Sequence, residues 1–198
     1  MMRALAALVV LLVAGCSAAT APRPAVLRAE LVSPTDVVLR WAGRDPGAAG
    51  HVLEFATEPR GPYTILAFLP AEESGYTHPD LIPETTFHYR LRPYYGRASA
   101  EVDVTVDGGE QASSGDLRAT VTGPDSVAFT WTGRGADGSL LENRPAGRTG
   151  FRVVALVDPG VGTFDLVTLP EERQATYRVR AFRYGPPSNV VRLTTGGQ

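Results

Sequence analysis

The feature that most constrains this chain is that it contains itself twice. LRAELVSPTDVVLRWAGR, residues 27–44, aligns without a gap on LRATVTGPDSVAFTWTGR, residues 117–134. Trp41 thereby falls on Trp131, an offset of 90 (131 − 41). Further on, FHYRLRPYYG around Tyr89 matches ATYRVRAFRYG around Tyr177, an offset of 88 (177 − 89). A repeat of this period marks two copies of one structural unit. The chain of 198 residues is the right length for two small domains. Sequence alone places them at 25–107 and 116–196, with the Gly- and Ser-rich stretch 108–115 as a linker.

Within each unit the apolar residues alternate in short runs, separated by clusters of Gly, Pro, Asp and Ser, and no helical period emerges. In the first unit this pattern predicts strands at 26–31, 37–41, 52–56, 63–69, 86–92 and 100–106. Turn signals separate them at Asp45-Pro46-Gly47, Arg60-Gly61-Pro62 and Pro79-Asp80. The expected class is all-β.

Each unit resembles a fibronectin type III domain. The residues that carry the resemblance are the apolar strand ending in Trp41, then Leu81-Ile82-Pro83-Glu84-Thr85 and the Phe87-His88-Tyr89-Arg90-Leu91 strand. In the second unit they are Trp131, Tyr177-Arg178-Val179-Arg180-Ala181 and the stretch 189–195. The resemblance implies two tandem immunoglobulin-like β-sandwiches that need no disulfide. Two departures stand out. The position resembling the family's tyrosine corner is Phe87 in one unit and Ala175 in the other, and neither has a hydroxyl. The second unit also looks shortened before Tyr177, with 164–168 standing in for its fifth strand.

The N-terminus speaks to location. Arg3 precedes an apolar run, 4–14, too short to span a bilayer as a helix, which takes about twenty residues. It has the layout of an export signal. The run ends Leu12-Val13-Ala14-Gly15-Cys16, which resembles the lipobox of bacterial lipoproteins. The resemblance implies a signal peptide at 1–15, a lipidated Cys16 and a tether at 16–24. Cys16 is the single cysteine, so no internal disulfide competes for it. Two acyl chains suffice for stable anchoring. The expected place is the extracytoplasmic side of a cell membrane or outer membrane.

Composition excludes some partners. Lys plus Arg number 19 against 21 Asp plus Glu, and every one of the 19 is arginine. Near-neutrality without a basic stripe gives no support for nucleic acid. Catalytic motifs are missing: there is no Gly-x-Ser-x-Gly, phosphate-binding loop or dinucleotide fingerprint. His51, His78 and His88 lack the spacing of a metal site, and His88 is expected to point outward from its strand. Glu72-Glu73 and Glu171-Glu172 read as solvated loop pairs. No catalytic residue, metal or cofactor is expected.

Function should then lie in loops. The stretch 132–150 reads as a long loop presenting Leu140 and Leu141 between arginines, Arg144 among them. Near it the fold would bring Arg183 and Tyr184, with Tyr94 and Tyr95 as counterparts in the first unit. Aromatic residues and arginine dominate binding hot spots. Three readings follow: a binding module for an envelope protein or glycan, a structural spacer, or accessory domains of a cell-wall enzyme system.

Overall fold

The computed structural model describes residues 24–43, 45–109, 111–133 and 135–197. The expected signal peptide, Cys16 and the tether up to residue 23 lie outside the described residues. The first half holds β1 (Val26–Leu31), β2 (Val37–Ala42), β3 (Gly50–Ala56), β4 (Thr64–Pro70), β5 (Gly75–His78), β6 (Thr86–Tyr95) and β7 (Val102–Thr105). The second holds β8 (Gln111–Ser114), β9 (Leu117–Gly123), β10 (Ser126–Thr130), β11 (Gly138–Pro145), β12 (Arg152–Val157), β13 (Thr163–Val167), β14 (Gln174–Tyr184) and β15 (Val191–Thr194). The alternation read from sequence is visible in them. In β2, Val37, Leu39 and Trp41 are buried while Arg40 is exposed, and in β10 Val127 and Phe129 are buried between the less buried Ser126, Ala128 and Thr130.

Two sandwiches result. In the first, the sheet β1-β2-β5 packs on β3, β4 and β6 around Leu39, Trp41, Leu53, Tyr89 and Leu91. In the second, β13-β10-β9-β8 packs on β11, β12 and β14 around Phe129, Trp131, Leu141, Tyr177 and Val179. Both cores keep the repeat. Each third strand also carries a bulge at the same place, Leu53/Glu54 in β3 and Leu141/Glu142 in β11.

The last strand of each repeat lies in the other repeat's sandwich. β7 pairs antiparallel with β14, Val102 opposite Tyr177 and Thr105 opposite Gln174. β15 pairs antiparallel with β6, Val191 opposite Tyr89 and Thr194 opposite Thr86. Between these ladders β6 and β14 meet directly, Tyr94 opposite Tyr184 and Tyr95 opposite Arg183. The repeat boundary is therefore not the boundary between sandwiches, which corrects the division 25–107 and 116–196. The physical reason is that β7 reads Val-Asp-Val-Thr and β15 Val-Arg-Leu-Thr. Either strand offers the same inward apolar pair, so pattern cannot say which sheet it completes. Val102 and Val104 are buried in the second core, and Val191 and Leu193 pack against the first.

The exchange is pinned at matching points. Ser99 N–H donates to Val179 O at 2.7 Å and Ser99 Oγ accepts from Val179 N–H at 3.1 Å. Ser188 makes the same pair with Leu91, at 2.8 and 3.0 Å. Asn189 adds a clamp: its Oδ1 accepts from Leu27 N–H and its Nδ2 donates to Leu27 O, both at 2.9 Å. It thereby ties the incoming segment to the edge of β1.

The linker 108–115 is structured: Val106–Gly108 forms a 3₁₀ turn and β8 joins the edge of β9. The stretch 164–168, expected to stand in for the fifth strand of the second unit, is covered by β13, which pairs β10 from Val127↔Leu166 to Thr130↔Thr163. One further expectation is corrected. The stretch 132–150 is not a loop, because β11 occupies its centre. Leu140 and Leu141 are both fully buried, Leu141 in its own core and Leu140 in a third cluster with Val52, Tyr94 and Phe182. A strand buried on both faces shows no alternation, which hid it.

Candidate binding site at the strand crossover

The third apolar cluster lies where the two sandwiches touch. Val52 from β3 and Leu140 from β11 meet there, with Ile65 and Phe68 of β4, Val153 of β12 and Tyr184 packed around them. Beside this cluster sits a repeated charged device. Glu54 is 88 residues before Glu142 (142 − 54), and both are buried in their strands. Arg90 Nε donates to Glu54 at 2.6 Å, with Arg92 3.9 Å away. Arg178 and Arg180 hold Glu142, Arg180 Nε donating at 2.7 Å. Arg180 also donates from Nη1 to Gly96 O at 2.6 Å, which couples the pair to the crossover. Charges this buried are tolerated only because they are paired and hydrogen-bonded.

Four of the residues expected to meet a partner are brought together here, and they meet each other. Arg183 lies over the Tyr95 ring, 4.7 Å from its centroid, and Tyr95 donates its hydroxyl to Asp45 Oδ2 at 2.6 Å. Arg92 lies over Tyr184 at 4.1 Å, and Tyr184 N–H donates to Asp137 Oδ2 at 2.7 Å. Tyr94 is buried edge-on to Phe182 and Phe68. Burial pushes the Tyr94 hydroxyl up to about 12, and burial followed by the hydrogen bond to Asp45 does the same for Tyr95. Both are neutral donors at any physiological pH.

The other expected residues lie elsewhere. Arg144 pairs with Glu101 at 3.0 Å and stacks over Phe151, with Arg178 over the same ring at 3.7 Å. Leu140 and Leu141 are inaccessible, so they cannot contact a partner. Cys16 lies outside the described residues. His88 is buried instead of solvent-facing, and so is Glu172. Glu172 accepts from Leu169 N–H, Asn143 Nδ2 and Arg152 Nη2 at 2.8–2.9 Å. Burial raises its pKa, but those donors outweigh burial and leave it below the ordinary glutamate value.

Beside the crossover runs a surface that the sequence did not announce. A groove of about 330 Å³ separates β4 from β12, lined by Phe68, Pro70, Glu72, Phe151, Arg152 and Arg178 among others. Glu72 also borders a cavity of about 650 Å³ formed by Trp41, Asp45, His51, Glu73 and Ser74. A small hollow shares Asp45 and His51 with that cavity and adds Tyr95, Pro186 and Pro24, the first described residue. Phe151 and His51 had no signal in the sequence beyond their type. Among the described residues, no group of three His, Cys, Asp or Glu could hold a metal ion.

No protein-family model matches the chain, and no curated protein matches it. Among solved structures it is similar to an Fn3-like protein from Clostridium thermocellum, with 26% identity and a TM-score of 0.33, over 37% of this chain and 77% of that one. It is also similar to a two-domain fibronectin type III segment of chicken tenascin, with 16% identity and a TM-score of 0.32, over 87% of this chain and 99% of the other. The strand pairing itself sets first, second and fifth strands against third, fourth and sixth. The chain is an all-β protein of two immunoglobulin-like β-sandwiches.

Proposed function

We propose that this protein is a membrane-anchored, extracytoplasmic lipoprotein acting as a non-catalytic binding module for a component of the cell envelope. The observation that carries the reading is the groove between β4 and β12 with its adjoining cavity. It is concave, it is lined by aromatic rings and guanidinium groups, and both sandwiches contribute to it. The described structure begins at Pro24, beside the crossover, so a lipid on Cys16 would tether the molecule from that side.

The spacer reading has one observation in its favour, the reciprocal exchange that locks the sandwiches into one body. Against an end-to-end spacer, β1 and β15 both belong to the first sandwich. The test is photo-crosslinking in cells with the probe at Phe151 or Glu72, and with a control probe at Val167, which is 68% exposed on the far sheet. A discrete adduct at the groove alone supports a binder. Adducts at neither groove position, in folded protein, favour the scaffold. In the same cells Cys16→Ala should leave the protein unprocessed or released, and unchanged membrane partition would refute the anchor.

A further inference from the structure

The two exchanged strands are held by different means. The buried core of the second sandwich includes Val102 and Val104 of β7, and Val106 just after it. The buried core of the first sandwich contains no residue of β15: its members, from Leu27 to Leu91, all belong to the first repeat. Val191 and Leu193 are only partly buried against it, and Val190 beside them is 48% exposed. β7 completes a core, whereas β15 covers one, and burying less apolar surface stabilises less.

What β15 lacks in buried area it has in directed hydrogen bonds. Ser188 matches Ser99, an offset of 89 (188 − 99), so Asn189 stands where the first repeat has Ala100, and Thr195 where it has Val106. Asn189 clamps both main-chain groups of Leu27. At the other end Thr195 Oγ1 donates to Ile82 O at 2.6 Å and accepts from Thr85 N–H at 2.9 Å. Polar side chains thus bracket the strand and fix its register, each bond contributing about 1 kcal/mol net. A strand held this way is specific and releasable. Its connection to the second sandwich, 185–190, runs beside β6 through Pro186-Pro187, so no hairpin has to open before β15 can reach elsewhere.

We propose that the slot beside β6 accepts β15 from another molecule of this same protein, so that β15 is an exchange strand between molecules. Each of these contacts is reproduced when the donor is a second molecule, because β15 already belongs to a different repeat from the sandwich it covers. Two molecules that exchange β15 reciprocally close a two-fold dimer. The occupant is the same protein because Ser188, Asn189 and Thr195 match Leu91, Leu27 and Thr85 at a spacing this chain itself carries. In dilute solution the strand stays at home, where its connection holds it at an effective concentration of about 1 mM. Crowding the molecules to that level makes exchange competitive. The inference is independent of the groove and of the lipid anchor.

The test uses two full chains, both Cys16→Ser, one carrying Thr86→Cys and the other Thr194→Cys. Neither can form a disulfide within itself, and exchange of β15 sets the two new thiols opposite each other. The chains are mixed, unfolded in urea, refolded together at about 1 mM and oxidised. A disulfide mapped to the Thr86 and Thr194 positions should form at least about tenfold more than in a mixture of Thr86→Cys with Val167→Cys, an exposed position on β13. An excess of the free peptide PPSNVVRLTTGG, residues 186–197, should suppress it, and a scrambled peptide should not. Should Thr86→Cys fail to fold, light scattering on the Cys16→Ser protein from about 10 µM to about 1 mM reads the same dimer. A disulfide yield equal to that of the Val167 mixture, a monomer at every concentration, or a dimer that the peptide leaves untouched would overturn the proposal.

Discussion

A Cβ on Gly96 would lie 2.0 Å from the carbonyl oxygen of Ala181, on the strand that crosses it. Gly96 also has a φ of 149°, a region closed to L side chains at little cost only for glycine. The crossing of β6 and β14 thus has room for backbone and nothing more. Gly96→Ala should destabilise the protein by at least about 2 kcal/mol, through strain and displacement of the crossing strand. Urea denaturation checks this. A loss no larger than that of Gly109→Ala, where a Cβ would meet nothing within 4 Å, would show that the crossover tolerates a side chain.

The exchange itself has a covalent test. Thr86 and Thr194 are directly opposed, their hydroxyls 2.9 Å apart. In a background with Cys16→Ser, Thr86→Cys with Thr194→Cys should oxidise to an intramolecular disulfide and remain a monomer. Thr86→Cys with Thr105→Cys should not, because Thr105 faces Gln174 in the other sandwich. A ready disulfide in the second pair would mean that each repeat closes on its own last strand. Peptide mapping of the oxidised protein distinguishes the two.

Much of this fold was legible because the residues that fill a sandwich announce themselves. Val37, Leu39 and Trp41 alternate with less buried neighbours, and their copies at Val127, Phe129 and Trp131 do the same. What escaped detection did so for identifiable reasons. β11 is buried on both faces, so Leu140-Leu141 looked like an apolar loop tip when each leucine was serving a different core. The exchange was invisible because Val102/Val104 and Val191/Leu193 are interchangeable in pattern. The one local hint is Pro186-Pro187, whose fixed φ favours extended chain over a tight hairpin turn. For the site, Tyr94 and Tyr95 were expected as first-unit counterparts of Arg183 and Tyr184, and β6 and β14 instead bring the four side by side. Residue type alone could not say that they would meet one another.

The buried carboxylate of the second sandwich should behave unlike a surface ion pair. Glu142 has its side chain 4% exposed and Arg180 11%, whereas Asp107, paired with Arg173, is 71% exposed. Removing one member of a buried pair strands the other without water. Glu142→Ala should therefore cost about 3 kcal/mol, and Asp107→Ala at most about 1 kcal/mol. Glu142→Ala combined with Arg178→Met and Arg180→Met should recover part of the loss. Thermal melts of the four proteins check this, and equal losses for the two single changes would remove the distinction.

The first sandwich should also be the acid-sensitive one. Burial lowers the pKa of His51 from 6.5, with Asp45 pulling weakly the other way, and burial lowers that of His78 likewise. As pH falls through 6.5 the unfolded chain takes up protons that the folded chain refuses. The unfolded state then binds more protons, so stability falls with falling pH until the folded-state values are reached. The second sandwich holds no histidine and should show no such slope. The repeat supplies its own control: His51→Ser installs the residue that pairs with Trp131 in the second copy. That substitution should flatten the dependence measured by urea denaturation between about pH 7.5 and pH 5.5, whatever it does to absolute stability. His78→Asn should flatten it further, at the expense of the 3.1 Å hydrogen bond to the Tyr89 hydroxyl. An unaltered slope in the double variant would mean that the acid sensitivity arises elsewhere, and that His51 is not held neutral by its burial against Trp41.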